Sequence, residues 1–351
     1  MESTKGRTAT VTAQAISKRR SRRASAGIVS VVVAASPPCT AQRSAGTAGA
    51  GERSAAGAAG FGMAPALCAA AQPSSRRLPD MARLHADEIA HYQQHGYVVP
   101  RFALPGAQVA RMQQALDELI RRNPGVRPEK LVSAHVQRPG GQDNGEGVQG
   151  VSDFLDLARD PQIVELVSGV VGEDIILWGC HVFCKPAGEG YETPWHQDGH
   201  YWPIRPLATC TVWVALEPST VENGCLRVIP RSHAVRQLHE HLHEDRNDLT
   251  LNQRLAPQTF DENSAVDLQL QPGQMSLHDV YMIHGAAANT SKQRRTGVAL
   301  RYMPTTSVFE RQMRPVEGKS GVAVNFANRP LWLVRGIDRS GRNDLNTGHK
   351  R

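Results

Sequence analysis

The chain has 351 residues and a formal charge of +7, and the excess sits in its first 80 residues, which hold 11 basic and three acidic side chains. The other 271 hold 29 basic and 30 acidic residues, all 14 histidines and all five tryptophans, so the overall charge is no argument for nucleic-acid binding. No run approaches the roughly 18 apolar residues of a membrane span, and six cysteines without a CxxC pair read as buried or free thiols of a reducing compartment.

Residues 1–80 are rich in Ala, Ser, Gly, Arg and Thr and lack a sustained apolar period, so they bury too little to offset ordering entropy and read as a disordered basic extension. Lys18 to Arg23 and the apolar stretch behind them imitate a secretory leader and, faintly, a twin-arginine signal, but no clean cleavage pattern follows. A start upstream of Met63 or Met81 is the other bland explanation. Beyond Met81 the pattern becomes that of a folded body. Residues 87–95 read as a short helix ended by Gly96, and Tyr97-Val-Val as a strand. Val109, Met112, Leu116 and Leu119 give helical spacing over 105–122, and Phe154, Leu155, Ile163, Val164 and Val167 repeat it over 151–171.

From Asp174 the texture becomes β-rich, with segments at 175–184, 209–216, 225–229, 266–270, 275–278, 281–284 and 298–303. Turn residues separate them, and Asn223-Gly224 between apolar runs predicts a hairpin. Short strands at this spacing predict a sandwich or barrel. His239, His241 and His243 lie in polar, acidic surroundings that predict a solvated helix or lid, and His278 and His233 read as structural.

The chemistry is concentrated in Thr193-Pro-Trp-His196-Gln-Asp198-Gly-His200-Tyr-Trp202. On an extended strand, residues i and i+2 share a face with Cα atoms roughly 7 Å apart, so His196 and Asp198 can face one ion. A second cluster ends a hydrophobic strand with His284-Gly285, and Arg295 follows eleven residues later. Two histidines and a carboxylate with open positions make the facial triad of non-haem Fe(II) oxygenases. A fixed arginine fork suits the far carboxylate of a dicarboxylic cosubstrate.

These residues, with Lys185-Pro186, Trp213, Asn223-Gly-Cys-Leu-Arg-Val-Ile-Pro230, Ser232-His233 and Asn289, resemble the phytanoyl-CoA dioxygenase family of Fe(II)/2-oxoglutarate oxygenases, over most of residues 85–305. The resemblance implies an α+β fold with a mainly β core, a double-stranded β-helix or cupin-like jelly roll with flanking helices, and a catalytic domain over 81–351. It implies His196, Asp198 and His284 as ligands of Fe(II), Arg295 as the anchor of 2-oxoglutarate, and Trp213 and His181 as cosubstrate-pocket residues. The family often has Ser two residues after the distal histidine, where this chain has Ala286. Retention of Asp198 favours hydroxylation over halogenation.

The implied reaction consumes O2, with ascorbate in support, and releases succinate and CO2 while hydroxylating an unactivated C–H of a small molecule, an acyl-CoA or a free metabolite. His200, Tyr201, Trp202 and Arg205 are the substrate candidates. The alternative is a non-redox cupin-like protein holding Zn or Ni, and Arg295 separates the two. No nucleic-acid or membrane partner is expected, and the oligomeric state stays open. Supply of Fe(II) and 2-oxoglutarate places the enzyme in the cytoplasm, or an organelle in a eukaryote.

Overall fold

A computed structural model describes residues 82–137, 147–312 and 326–349, and the extension expected over 1–80 lies outside them. The described chain opens with helix α1 (Ala86–His95), which Gly96 ends, and strand β1 (Tyr97–Val98). Helix α2 (Gly106–Arg122) buries Val109, Met112, Ala115, Leu116 and Leu119 along one stripe, the period that the sequence shows.

Strand β2 (Leu131–Val132) precedes two helices, α3 (Ser152–Ala158) and α4 (Pro161–Val171), where the apolar pattern predicts one stretch. The break is at Asp160-Pro161. Proline has no N–H to continue a helix but suits the first helical position, and the Asp160 carboxylate accepts the Gln162 N–H at 2.8 Å as an N-cap. Its other oxygen accepts from Gln108 Nε2 at 2.7 Å and ties α4 to α2. Asp160→Ala is expected to cost about 1 kcal/mol through the cap alone. The measurement is urea unfolding, in which the midpoint should fall at an unchanged slope.

The rest of the chain is mostly extended. It contains β3 (Ile175–Lys185), β4 (Thr193–His196), β5 (Ile204–Arg205), β6 (Cys210–Ala215), β7 (Leu226–Val228), β8 (His241–His243), β9 (Gln253–Leu255), β10 (Val266–Leu268), β11 (Met275–Asp279), β12 (His284–Ala286), β13 (Arg295–Pro304), β14 (Val308–Phe309) and β15 (Trp332–Arg335). A seven-stranded sheet runs β1-β11-β6-β13-β3-β15 with β2 also on β3, and a four-stranded sheet runs β10-β7-β12-β4. With helices packed on it, this is the expected jelly-roll core.

Three local expectations change. Residues 281–283 are not strand, so His284 opens β12 rather than closing a strand. The turn at Asn223-Gly224 exists but makes no hairpin, because it carries the chain from β6 in the large sheet to β7 in the small one. His241 and His243 lie on a strand, β8, paired with β9, rather than on a helix.

Strand alternation divides the large sheet. Val298, Leu300 and Tyr302 of β13 join Val182, Val212 and Leu277 in one core with Leu116, Phe154, Ile163 and Val167 of the helices. The odd-numbered Arg295, Ala299 and Arg301 line a cavity on the opposite face. A bulge then reverses the alternation of β3: Arg301 opposes Gly179 and Tyr302 opposes Leu177, leaving Trp178 as the extra residue. Trp178 therefore leaves the helix-side core and packs in a second cluster with Trp202, Ile204 and Phe309.

Candidate active site

His196 ends β4 and His284 opens β12, and the two are register partners across the small sheet with ring centroids 4.1 Å apart. Asp198 is not on the strand that the i, i+2 argument assumes. It starts a short 3-10 turn, Asp198–His200, which swings its carboxylate back toward the imidazoles. Oδ1 lies 3.6 Å from His196 Nε2 and Oδ2 4.0 Å from His284 Nε2. One ligand atom from each of the three lies within 4.8 Å of the others, the one such group among the described residues.

The tautomers follow from the backbone. His196 Nδ1 is 2.8 Å from the Pro194 carbonyl and His284 Nδ1 is 3.0 Å from the Met282 carbonyl. A carbonyl only accepts, so each Nδ1 carries a proton, which leaves each Nε2 as the ring atom turned toward Asp198 and available to a metal. Burial, reinforced by the nearby His196, holds the His284 pKa well below its ordinary value, so it is neutral and able to ligate. Burial alone would raise the Asp198 carboxyl, but Arg301, His196 and His284 hold it well below the usual carboxylate range.

Gln197, between the two, is fully buried and pins the turn. Its Nε2 donates to the carbonyls of Gln237 and Tyr281, its Oε1 accepts from the His239 N–H, and its own N–H donates to His241 Nε2. His241 is thus a buried acceptor, with burial pushing its pKa down to about 3, whereas His243 is partly exposed and pairs with Asp245. The solvated reading holds for His243 and fails for His241.

The triad lines a cavity whose other wall is the large sheet. Arg295, at the start of β13, is 2% exposed, and no carboxylate pairs with it among the described residues. Its Nη2 donates to the Gly224 carbonyl, its Nη1 to the Phe183 carbonyl at 3.4 Å, and its Nε has no partner. Burial pulls its pKa down to about 10, which leaves it cationic at neutral pH. The Asn223-Gly224 turn is its socket: Gly224 has φ +76°, and a Cβ there would lie 2.2 Å from the Ala287 carbonyl oxygen.

Trp213 lies under the guanidinium at 5.3 Å. Gly297, beside it, has no room for a side chain, since a Cβ would meet the indole at 1.9 Å. Gly297→Ala is expected to displace Trp213, cost about 1–3 kcal/mol as overpacking, and weaken cosubstrate binding. Thermal unfolding and tryptophan fluorescence of the folded variant check this.

Of the other candidates, His181 stacks on Phe183 with centroids 3.9 Å apart, but only Phe183 of the two lines the cavity. None of His200, Tyr201, Trp202 and Arg205 lines it either. His200 lies tilted against His241 with ring centroids 4.2 Å apart, partly buried Tyr201 lies edge-on to His200, Trp202 packs edge-to-face on Trp178 at 4.5 Å, and Arg205 is exposed. Where Ala286 lacks the family's hydroxyl, its register partner Thr193 lines the same cavity.

Sequence reasoning passed over Arg301 and gave Lys185 no role. Lys185 is 1% exposed and donates to the carbonyls of Ala286 and Ala287, which anchors the end of β12. Burial, then the charge of Arg295, holds its pKa well below the usual lysine range. His278, read as structural, also lines the cavity, 5.0 Å from the His284 ring.

The donor set suits the metal that the fold implies, since two imidazoles and a carboxylate are ligands of Fe(II). The unpaired buried Arg295 suits an anionic cosubstrate. Jelly rolls of this kind recur among solved structures. The apo form of the non-haem monooxygenase ThoJ aligns with a TM-score of 0.55 at 24% identity, covering 73% of this chain and 86% of that one. CytC3 with Fe(II) and 2-oxoglutarate aligns at 0.52 and 21% identity, covering 75% and 93%. At such identities these likenesses establish the fold.

The family described as phytanoyl-CoA dioxygenase (PhyH) matches residues 92–297, more than half of the chain. The chain belongs to the phytanoyl-CoA dioxygenase family and is a 2-oxoglutarate-dependent non-haem iron dioxygenase. The human peroxisomal phytanoyl-CoA dioxygenase is 25% identical over 271 residues, covering 70% of this chain and 79% of that protein. A probable phytanoyl-CoA dioxygenase of Caenorhabditis elegans is 24% identical over 238 residues, covering 62% and 75%.

Proposed function

We propose that this oxygenase hydroxylates an unactivated C–H bond of a small organic substrate, either an acyl-CoA or a free metabolite. The observation that supports this reading is the shared cavity: His196, Asp198 and His284 converge at one wall while the unpaired Arg295 is buried at another. His196, Asp198 and His284 would hold Fe(II), and Arg295 with Trp213 would hold 2-oxoglutarate. When bound, the iron and cosubstrate supply an oxidant from O2, with succinate and CO2 as co-products and ascorbate in support.

The chain's own part is positional. The Nδ1–H bonds to Pro194 and Met282 aim both imidazoles, Gln197 locks the turn that aims Asp198, and the Gly224 carbonyl aims Arg295. Burial of this set excludes water from the reacting centre. The test is succinate formation from 2-oxoglutarate with Fe(II) and ascorbate across a panel of acyl-CoAs and free metabolites. Stimulation by a compound, with a hydroxylated product of it, supports the reading. Stimulation without such a product would overturn hydroxylation.

Residues 1–80 are proposed to be a dispensable extension. A chain beginning at Met81 is expected to keep its unfolding transition and its iron-dependent turnover, and loss of either would overturn this. Cytoplasmic residence is proposed on cofactor supply, and fractionation of the host tests it. Among the described residues no helix is long and apolar enough to cross a membrane.

A further inference from the structure

Arg301 lies three periods of the strand alternation beyond Arg295, on the same face of β13 and in the same cavity. Its side chain is 14% exposed, and its nearest acidic neighbour is Asp198 Oδ1 at 3.9 Å. That is beyond hydrogen-bond length, and the buried Nε has no partner. Two indoles hold it, Trp202 at 5.0 Å and Trp178, turned here by the bulge in β3, at 5.7 Å. The guanidinium is thus fixed in place with donors to spare.

The charges in the cavity decide what it can meet. Resting on the proposed metal and cosubstrate, a divalent ion and a dianionic cosubstrate cancel each other. That would leave one anion, Asp198, against two cations, Arg295 and Arg301, among the described lining residues. The lining therefore keeps one positive charge in excess, and among the described residues Arg301 has no hydrogen-bonded anion, its one acidic neighbour being Asp198 at 3.9 Å; an excess cation in a desolvated site favours an anionic guest.

We propose that Arg301 is a specificity-determining residue that receives an anionic group of the primary substrate, a carboxylate held close to the metal centre. The substrate class is then a small organic acid whose reacting C–H lies near its acid group. Trp178 and Trp202 set the position of the guanidinium.

Two measurements test this. First, crystals of the Mn(II) enzyme with N-oxalylglycine, an isostere of 2-oxoglutarate that does not turn over, are soaked in bromide. With Arg295 covered, an anomalous bromide peak is expected at the Arg301 guanidinium and is expected to vanish in Arg301→Gln. Absence of bromide there in the loaded wild type would overturn the proposal. Second, free acids and their primary amides are compared as stimulators of succinate formation. Acids should be preferred in the wild type, and Arg301→Gln should remove roughly 10- to 100-fold of that preference. Amides that match their acids in the wild type would overturn it. Failure of N-oxalylglycine to bind would strike the oxygenase reading, and bromide at Arg301 would still mark the anion site.

Discussion

Arg295→Leu is expected to raise the 2-oxoglutarate concentration for half-maximal turnover by roughly 30-fold to a few thousandfold. A guanidinium paired with a carboxylate in a desolvated pocket contributes on the order of 2–5 kcal/mol to apparent affinity, at about 1.4 kcal/mol per decade. Metal content should barely change, because Arg295 is not among the grouped ligands. Arg294 is the internal control. It points to the opposite face, where it pairs with Asp117 at 2.7 Å and Glu217 at 3.0 Å. Such half-exposed pairs are worth at most about 1 kcal/mol of stability, so Arg294→Leu should lower the melting temperature slightly and leave the cosubstrate requirement alone. Equal effects at the two positions would mean that Arg295 does not face the cosubstrate.

Asp198→Ala is expected to abolish hydroxylation and weaken metal binding by more than the 10- to 100-fold typical of lost outer-shell partners, so about 100-fold or more. Two effects add. The variant removes an anionic ligand, and it leaves Arg301 with no acidic neighbour beside the incoming cation. Asp198→Asn keeps the shape and removes the charge, so comparing the two separates ligand geometry from electrostatics. Calorimetric titration with Mn(II) reads the affinity, and wild-type turnover by Asp198→Ala at saturating iron would overturn the assignment.

Much of the site was legible because its residues carry unusual chemistry at short spacing. His196, Asp198, His284 and Arg295 could be picked out of the chain before any strand was placed. Alternation along β13 separated Arg294 from Arg295, and the same rule puts Arg301 on the site's face, a step that the sequence reading did not take. Other features depend on contacts far apart in the chain. The strand geometry invoked for Asp198 was wrong although the three side chains do converge, because a turn locked by Gln197 does the aiming, and its partners at 237, 239 and 281 are remote. The bulge at Trp178 moves one tryptophan from the helix side to the cavity side, and alternation alone cannot register an extra residue. Trp202 was read as a substrate residue, but it lies outside the cavity lining and packs on Trp178 and Arg301.

The contact points are divided between layers. His196 and His284 belong to the four-stranded sheet, whereas Trp213 and Arg295 belong to the seven-stranded one. A cosubstrate reaching from the triad to Arg295 is therefore a tie-beam across the sandwich, and separating the layers and emptying the cavity become one motion. By linkage, a ligand at 100 times its dissociation constant adds about 2.7 kcal/mol to the folded state. Proteolysis that acts on the opened chain follows the population of that state. If the cosubstrate bridges the layers as proposed, withdrawing 2-oxoglutarate is expected to speed cleavage by an added protease.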